Sequence, residues 1–138
     1  MRVLLSVCLG VALAGSAAAE ESGGKLSLEL NAVQSSQSGC TLTFLIENGL
    51  AAPIEALVFE TVLFDAEGTV DRLTLFDFGA VPVARPRVRQ FVVRDLACDA
   101  LGRVLINGAE TCTAPPLAPA TCETDLGVSS RTGIEIIG

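Results

Sequence analysis

Lys25-Leu26-Ser27-Leu28-Glu29-Leu30-Asn31 alternates polar and apolar side chains without a break, which puts Leu26, Leu28 and Leu30 on one face. Successive side chains point to opposite faces in extended backbone, so this stretch reads as a β-strand with one face in a core. The same period returns at Cys40, Leu42, Phe44 and Ile46, between Gly39 and the stop at Asn48-Gly49. Residues 54–65 form a longer run of Val, Leu and Phe, closed by the turn Asp65-Ala66-Glu67-Gly68. Residues 69–76 then resume with Val70, Leu73 and Leu75, so the two runs read as a hairpin.

Further along, residues 79–86 with Pro82 read as a loop, and residues 87–94 as a strand with Val88 and Val92 opposite Arg87 and Arg89. Residues 101–107 read as a short apolar strand, and Gly133-Ile134-Glu135-Ile136-Ile137 alternates once more. Residues 108–130 carry Pro115, Pro116 and Pro119 and read as a long ordered loop. Short strands at this spacing, with no convincing helical period after the N-terminal segment, predict an all-β fold. The expected architecture is an immunoglobulin-like antiparallel β-sandwich of about seven strands, with a small Greek-key barrel as the alternative.

The chain has 138 residues, half of them apolar, which is room for one ordinary domain and too apolar for a disordered chain. No fixed repeat and no linker divides it, so residues 20–138 are expected to form one domain. Residues 1–19 read as a secretory signal peptide. Arg2 is followed by an apolar run of 12 residues from Val3 to Ala14 and by Ala17-Ala18-Ala19 before Glu20. The run is short of the roughly 20 residues a membrane span needs. No Arg-Arg pair precedes it and no Cys follows the small residues, so the general secretory route and an unanchored product are expected. Removing the leader takes away Arg2 and no acid, moving the net charge from −7 to −8. So acidic a chain is a poor match for a phosphate backbone, and no nucleic-acid partner is expected.

Cys40, Cys98, Cys112 and Cys122 remain in the mature chain, an even number in an exported protein, and are expected to pair as disulfides. Three pairings are possible. Strands that alternate in direction bring Cys40 and Cys98 to one end and leave Cys112 and Cys122 at the other, so the bridges expected are Cys40–Cys98 and Cys112–Cys122. A Cys98–Cys112 bridge would have to cross a strand roughly 20 Å long, against about 7 Å between Cα atoms in a disulfide. No Cys-x-x-Cys spacing suggests redox or zinc chemistry.

The chain contains no His, which removes the commonest general base and the usual partner of a nucleophilic Ser or Cys. Glu60, Asp65, Asp71 and Asp77 lie close in the hairpin, and a carboxylate hydrolase would require two of them about 5 to 10 Å apart in a cleft. The turn at Asp65-Ala66-Glu67-Gly68 supplies too few oxygens for a calcium shell. No catalytic residue, cofactor or metal is expected, and the protein reads as non-enzymatic.

Arg85-Pro86-Arg87-Val88-Arg89-Gln90-Phe91 is the most distinctive local feature, a basic strand in an acidic protein. Arg85, Arg87 and Arg89 are the candidate partner-binding residues, because guanidinium forks take carboxylates bidentately. The competing reading pairs them with Glu60, Asp71 or Asp77 as edge charges. Ser129-Ser130-Arg131-Thr132 is a weaker polar candidate near the C-terminus.

Leu42-Thr43-Phe44-Leu45-Ile46-Glu47-Asn48-Gly49-Leu50, Leu73-Thr74-Leu75-Phe76-Asp77-Phe78-Gly79, the Arg85–Phe91 run and Arg103-Val104-Leu105-Ile106-Asn107-Gly108 resemble those of a family of small exported alphaproteobacterial proteins labelled "Tat pathway signal sequence domain protein". The resemblance implies a Gram-negative periplasm and transfers no activity and no catalytic residue. The leader here lacks the twin arginine of the label. The function expected is that of a periplasmic binding or accessory protein, a subunit or assembly factor of a cell-envelope complex. The alternative is a small-molecule or polymer-binding domain using the Cys112–Cys122 loop, and a pocket mouth lined by Arg89 or Arg131 would favour it.

Overall fold

The alternating stretch at Leu26 is the first strand of a sandwich in a computed structural model that describes residues 24–138; the expected leader, residues 1–19, lies outside the described residues. The strands are β1 (Leu26–Ser36), β2 (Gly39–Asn48), β3 (Ala56–Asp65), β4 (Val70–Asp77), β5 (Arg87–Arg94), β6 (Leu101–Thr113), β7 (Leu126–Ser130) and β8 (Glu135–Ile137). A 3-10 turn at Cys98–Ala100 precedes β6, and the single helical turn α1 (Thr121–Thr124) precedes β7.

Two four-stranded sheets result, ordered β5-β2-β1-β7 and β4-β3-β6-β8. They pack face to face and do not close, so the fold is an all-β sandwich and the barrel alternative falls away. The adjacency β1-β2-β5 in one sheet and β3-β6 in the other is that of the immunoglobulin plan. The end of the chain then serves both sheets, with β7 running parallel to β1 and β8 parallel to β6.

Eight strands replace the seven expected because residues 108–130 are not a loop throughout. β6 continues to Thr113, and β7 lies wholly inside the stretch. The extension hides from a period-two reading because its register against β3 slips at Val58/Phe59 and at Glu60/Thr61, and each extra residue shifts the alternation. β7 is five residues of Leu, Gly, Val and Ser, too short and too mixed to show a period.

Leu26, Leu28 and Leu30 from β1, Leu42, Phe44 and Ile46 from β2, and Leu57, Phe59 and Leu63 from β3 are all buried. Each such side chain contributes about 1.5 to 3 kcal/mol on leaving water. Phe78 lies at the centre of an aromatic group, with ring centroids 5.7 Å from Phe44, 5.5 Å from Phe59 and 5.1 Å from Phe91. Cys40–Cys98 ties the start of β2 to the turn before β6, and Cys112–Cys122 ties the end of β6 to α1, the two pairings expected. Closed bridges are the state of a chain that matures in an oxidising compartment.

Asn48 ends β2 inside the core. Its side-chain amide donates to the carbonyls of Ala52 and Val81, each at 3.0 Å, and its oxygen accepts from the Leu50 amide at 2.9 Å. Three main-chain groups of two connections are thereby satisfied by one side chain, which fixes how the chain leaves β2 and how it approaches β5.

Candidate functional site

β5 lies at the edge of its sheet, and its alternation decides where the arginines point. Phe91 packs on the aromatic group and Val93 is buried, so the face they share with Arg87 and Arg89 turns toward the other sheet. Arg89 is half-buried there. Its Nε donates to the Phe78 carbonyl at 2.8 Å and its Nη2 to the Ala80 carbonyl at 3.1 Å, closing the connection from β4 to β5. Arg87 reaches the neighbouring Pro86 carbonyl at 3.0 Å, and Arg85 is exposed just before the strand. The three residues therefore do not form one outward row, and neither Arg85, Arg87 nor Arg89 makes an ion pair with Glu60, Asp71 or Asp77.

The acids of the hairpin separate into local tasks. Asp65 accepts from the amides of Glu67 and Thr69, the pattern of an Asx turn. Asp71 pairs with Arg72 at 2.6 Å, Asp77 accepts from the Gly79 amide at 2.8 Å, and Glu60 accepts from Asn107 at 2.6 Å. Among the described residues no three acidic or cysteine side chains gather as a metal would need.

Arg131 pairs with Glu29 at 3.0 Å, and Ser130 bonds to Thr132 and the Ile134 carbonyl, which shapes the turn from β7 into β8. The Cys112–Cys122 loop encloses a shallow groove of about 300 Å³ walled by Ala114, Pro115, Pro116, Leu117 and Pro119. Neither Arg89 nor Arg131 reaches it. A larger open cleft of about 790 Å³ lies between Lys25, Glu47, Asn48, Val83, Ala84 and Pro86. Asn48 spends its amide on main-chain partners, so no unpartnered buried group is aimed into that space.

The feature that the sequence reading passed over lies on the outer surface of β4 and β5. On β4 the inward side chains are Arg72, Thr74 and Phe76, while Leu73 and Leu75 stand outward at 58% and 53% exposure between Asp71 and Asp77. On β5 the outward side chains are Val88, Gln90, Val92 and Arg94, with the two valines 58% and 49% exposed. Every exposed large apolar side chain of the described residues, including Val70 and Val83, belongs to these two strands or the segment leading into β5. The signal was present in the sequence as Asp71-x-Leu73-x-Leu75-x-Asp77, a polar-flanked apolar row in opposite phase to the aromatic Phe76.

β4 and β5 are the edges of different sheets on the same side of the sandwich. Phe76 stacks on Phe91, and the Arg72 Nη1 donates to the Arg94 carbonyl at 2.6 Å, so the two edges run antiparallel across a seam. A groove of about 220 Å³ follows it, lined by Arg72, Thr74, Phe76, Val92, Val93 and Arg94. No other strand of the described residues pairs with the outer edge of either. On the opposite side the edges are β7 and β8, of five and three residues, short enough to resist pairing with another chain.

Among the described residues no helix is long and apolar enough to cross a membrane. The chain matches no protein-family model, no curated protein and no solved structure.

Proposed function

We propose that this is a non-catalytic binding protein of the Gram-negative periplasm, exported through a cleaved leader, that serves as a subunit or assembly factor of a cell-envelope complex and makes its contacts through the β4/β5 side. The observation that carries the reading is the confinement of exposed apolar side chains to that side, where two eight-residue edges also leave main-chain groups free to pair. A long apolar edge strand is a liability in a protein that stays alone, and a contact surface in one that does not. The two disulfides support the compartment, and the likeness of the Arg85–Phe91 run to small exported proteins points the same way. Arg85 and Arg94, at the two ends of β5, would frame the contact with charge. The test is capture of tagged protein from gently solubilised envelopes after mild crosslinking. A stoichiometric companion that is lost in Leu73→Lys supports the reading, and a companion retained by Leu73→Lys and by Val92→Lys contradicts the assignment of the face.

A further inference from the structure

The β4/β5 side has properties that select one occupant. Both edges are eight residues long, they lie on one side of the sandwich, and they run antiparallel, with Arg72 level with Arg94 and Phe76 level with Phe91. A two-fold axis parallel to the strands on that side would carry the β4 of a second copy against β5, antiparallel and at the same height, and β5 of that copy against β4. One rotation would thus cover both open edges at once, as a closed two-fold contact requires.

The side chains on the outward faces agree with that placement. In the register that sets Arg94 opposite Asp71 of the second copy, Val92 meets Leu73, Gln90 meets Leu75, and Val88 meets Asp77 at the strand end with Leu75 diagonal to it. An opposite-charge pair and an aliphatic pair are the cross-strand combinations that stabilise a sheet. The charges are split between the strands in the same sense: β4 carries Asp71 and Asp77 outward, with Arg72 inward and paired with Asp71, whereas β5 carries Arg94 outward and Arg87 and Arg89 inward, and Arg85 is exposed just before it. A surface that is acidic on one edge and basic on the other complements itself after rotation, even though the protein as a whole is acidic.

We infer that the occupant of the β4/β5 side is a second copy of this chain, joined by β4–β5 pairing at both edges into two continuous eight-stranded sheets. The inference rests on the reading of this side as the contact face and names what fills it. The 220 Å³ grooves of the two copies face each other at the axis, and Leu73 and Val92 of opposite copies shield part of each other's exposed surface across the new strand pair.

The experiment is sedimentation velocity of the protein expressed from its full sequence and purified with both disulfides closed, at micromolar concentration, for the wild type, Asp71→Arg, Arg94→Asp and an equimolar mixture of the two variants. Asp71 and Arg94 point away from each other within one chain; Asp71→Arg also breaks the Asp71–Arg72 pair inside the copy, so Arg94→Asp and the recovery in the mixture are what isolate the contact. The wild type should be a dimer, and each variant alone should dissociate at least about tenfold more readily, since like charges face each other twice. In the mixture each new Arg meets a new Asp while the native Arg94 meets the native Asp71, and the dimer should return. Val92→Lys, exposed in the single chain, should be monomeric and should melt with the wild type at concentrations low enough to dissociate the wild-type dimer.

A monomeric wild type, or a dimer indifferent to both reversals and to Val92→Lys, overturns the second copy as occupant. The wider reading is then decided by envelope capture. Loss of a companion in Val92→Lys keeps the face and assigns it to another protein, and retention removes the face as well.

Discussion

Phe76 on β4 and Phe91 on β5 stack across the two sheets with ring centroids 4.3 Å apart and planes 9° from parallel. The contact closes the side of the sandwich where neither edge has a neighbouring strand, so it joins the sheets at the place where their main chains do least. Phe76 is buried, and truncating it should cost about 3 to 5 kcal/mol, with less for the partly exposed Phe91. Chemical denaturation of Phe76→Ala, Phe91→Ala and the double variant should give a coupling of about 0.5 to 1.5 kcal/mol. Strictly additive losses would mean that the rings are neighbours without mutual stabilisation.

Asn48 connects the exit of β2 to the segment before β5 through one buried side chain. Asn48→Ala would strand the carbonyl of Ala52 and the amide of Leu50 and would leave the Val81 carbonyl with the Ile54 amide as its one donor. Unpaired buried groups cost about 1 to 3 kcal/mol each, so a loss of several kcal/mol is expected, with faster hydrogen exchange at Leu50. A change below about 1 kcal/mol would show that water replaces the amide at no cost.

The two bridges differ in the length of chain they close, 58 residues for Cys40–Cys98 and 10 for Cys112–Cys122. Restriction of the unfolded chain then gives about 4 kcal/mol for the first and about 3 kcal/mol for the second. Paired Cys→Ala variants, melted side by side, should therefore rank in that order. The reverse order would place the importance of Cys112–Cys122 in the folded loop.

Glu29 holds its proton less readily than an ordinary carboxyl, first because the Asn31 amide donates to it at 2.8 Å and then because Arg131 stands beside it. A depressed value means stabilisation that is present above the unfolded carboxyl value and is lost as pH falls through the folded one. The group is at the surface, so the effect is read in the titration of Glu29 by NMR. Asn31→Ala and Arg131→Gln should each raise its midpoint, and a variant that leaves the midpoint in place would remove that partner from the account.

How much of this was legible follows from where alternation survives. β1, β2 and β5 are read directly, because Leu26, Leu42 and Phe91 each sit in an unbroken period. The extension of β6 is not, because each slip against β3 flips the face that the next residue occupies. The disulfide pairing followed from strand direction alone. The arginines were seen but not their orientation: which face of β5 turns inward depends on Phe91 meeting Phe76 and Phe78, and the period of the strand holds no information about that. Leu73 and Leu75 were read as strand residues, and only the sheet order shows that they stand at an open edge.

The central claim is that the β4/β5 side is the contact face, and site-directed photocrosslinking in intact cells tests it most directly. A photoreactive side chain is placed in turn at Leu75 and Val88 on that side, and at Asn31 and Glu110, which are exposed elsewhere. The account predicts discrete adducts from Leu75 and Val88 and none from Asn31 or Glu110. Adducts from Asn31 or Glu110 alone, or none from any position, would contradict it.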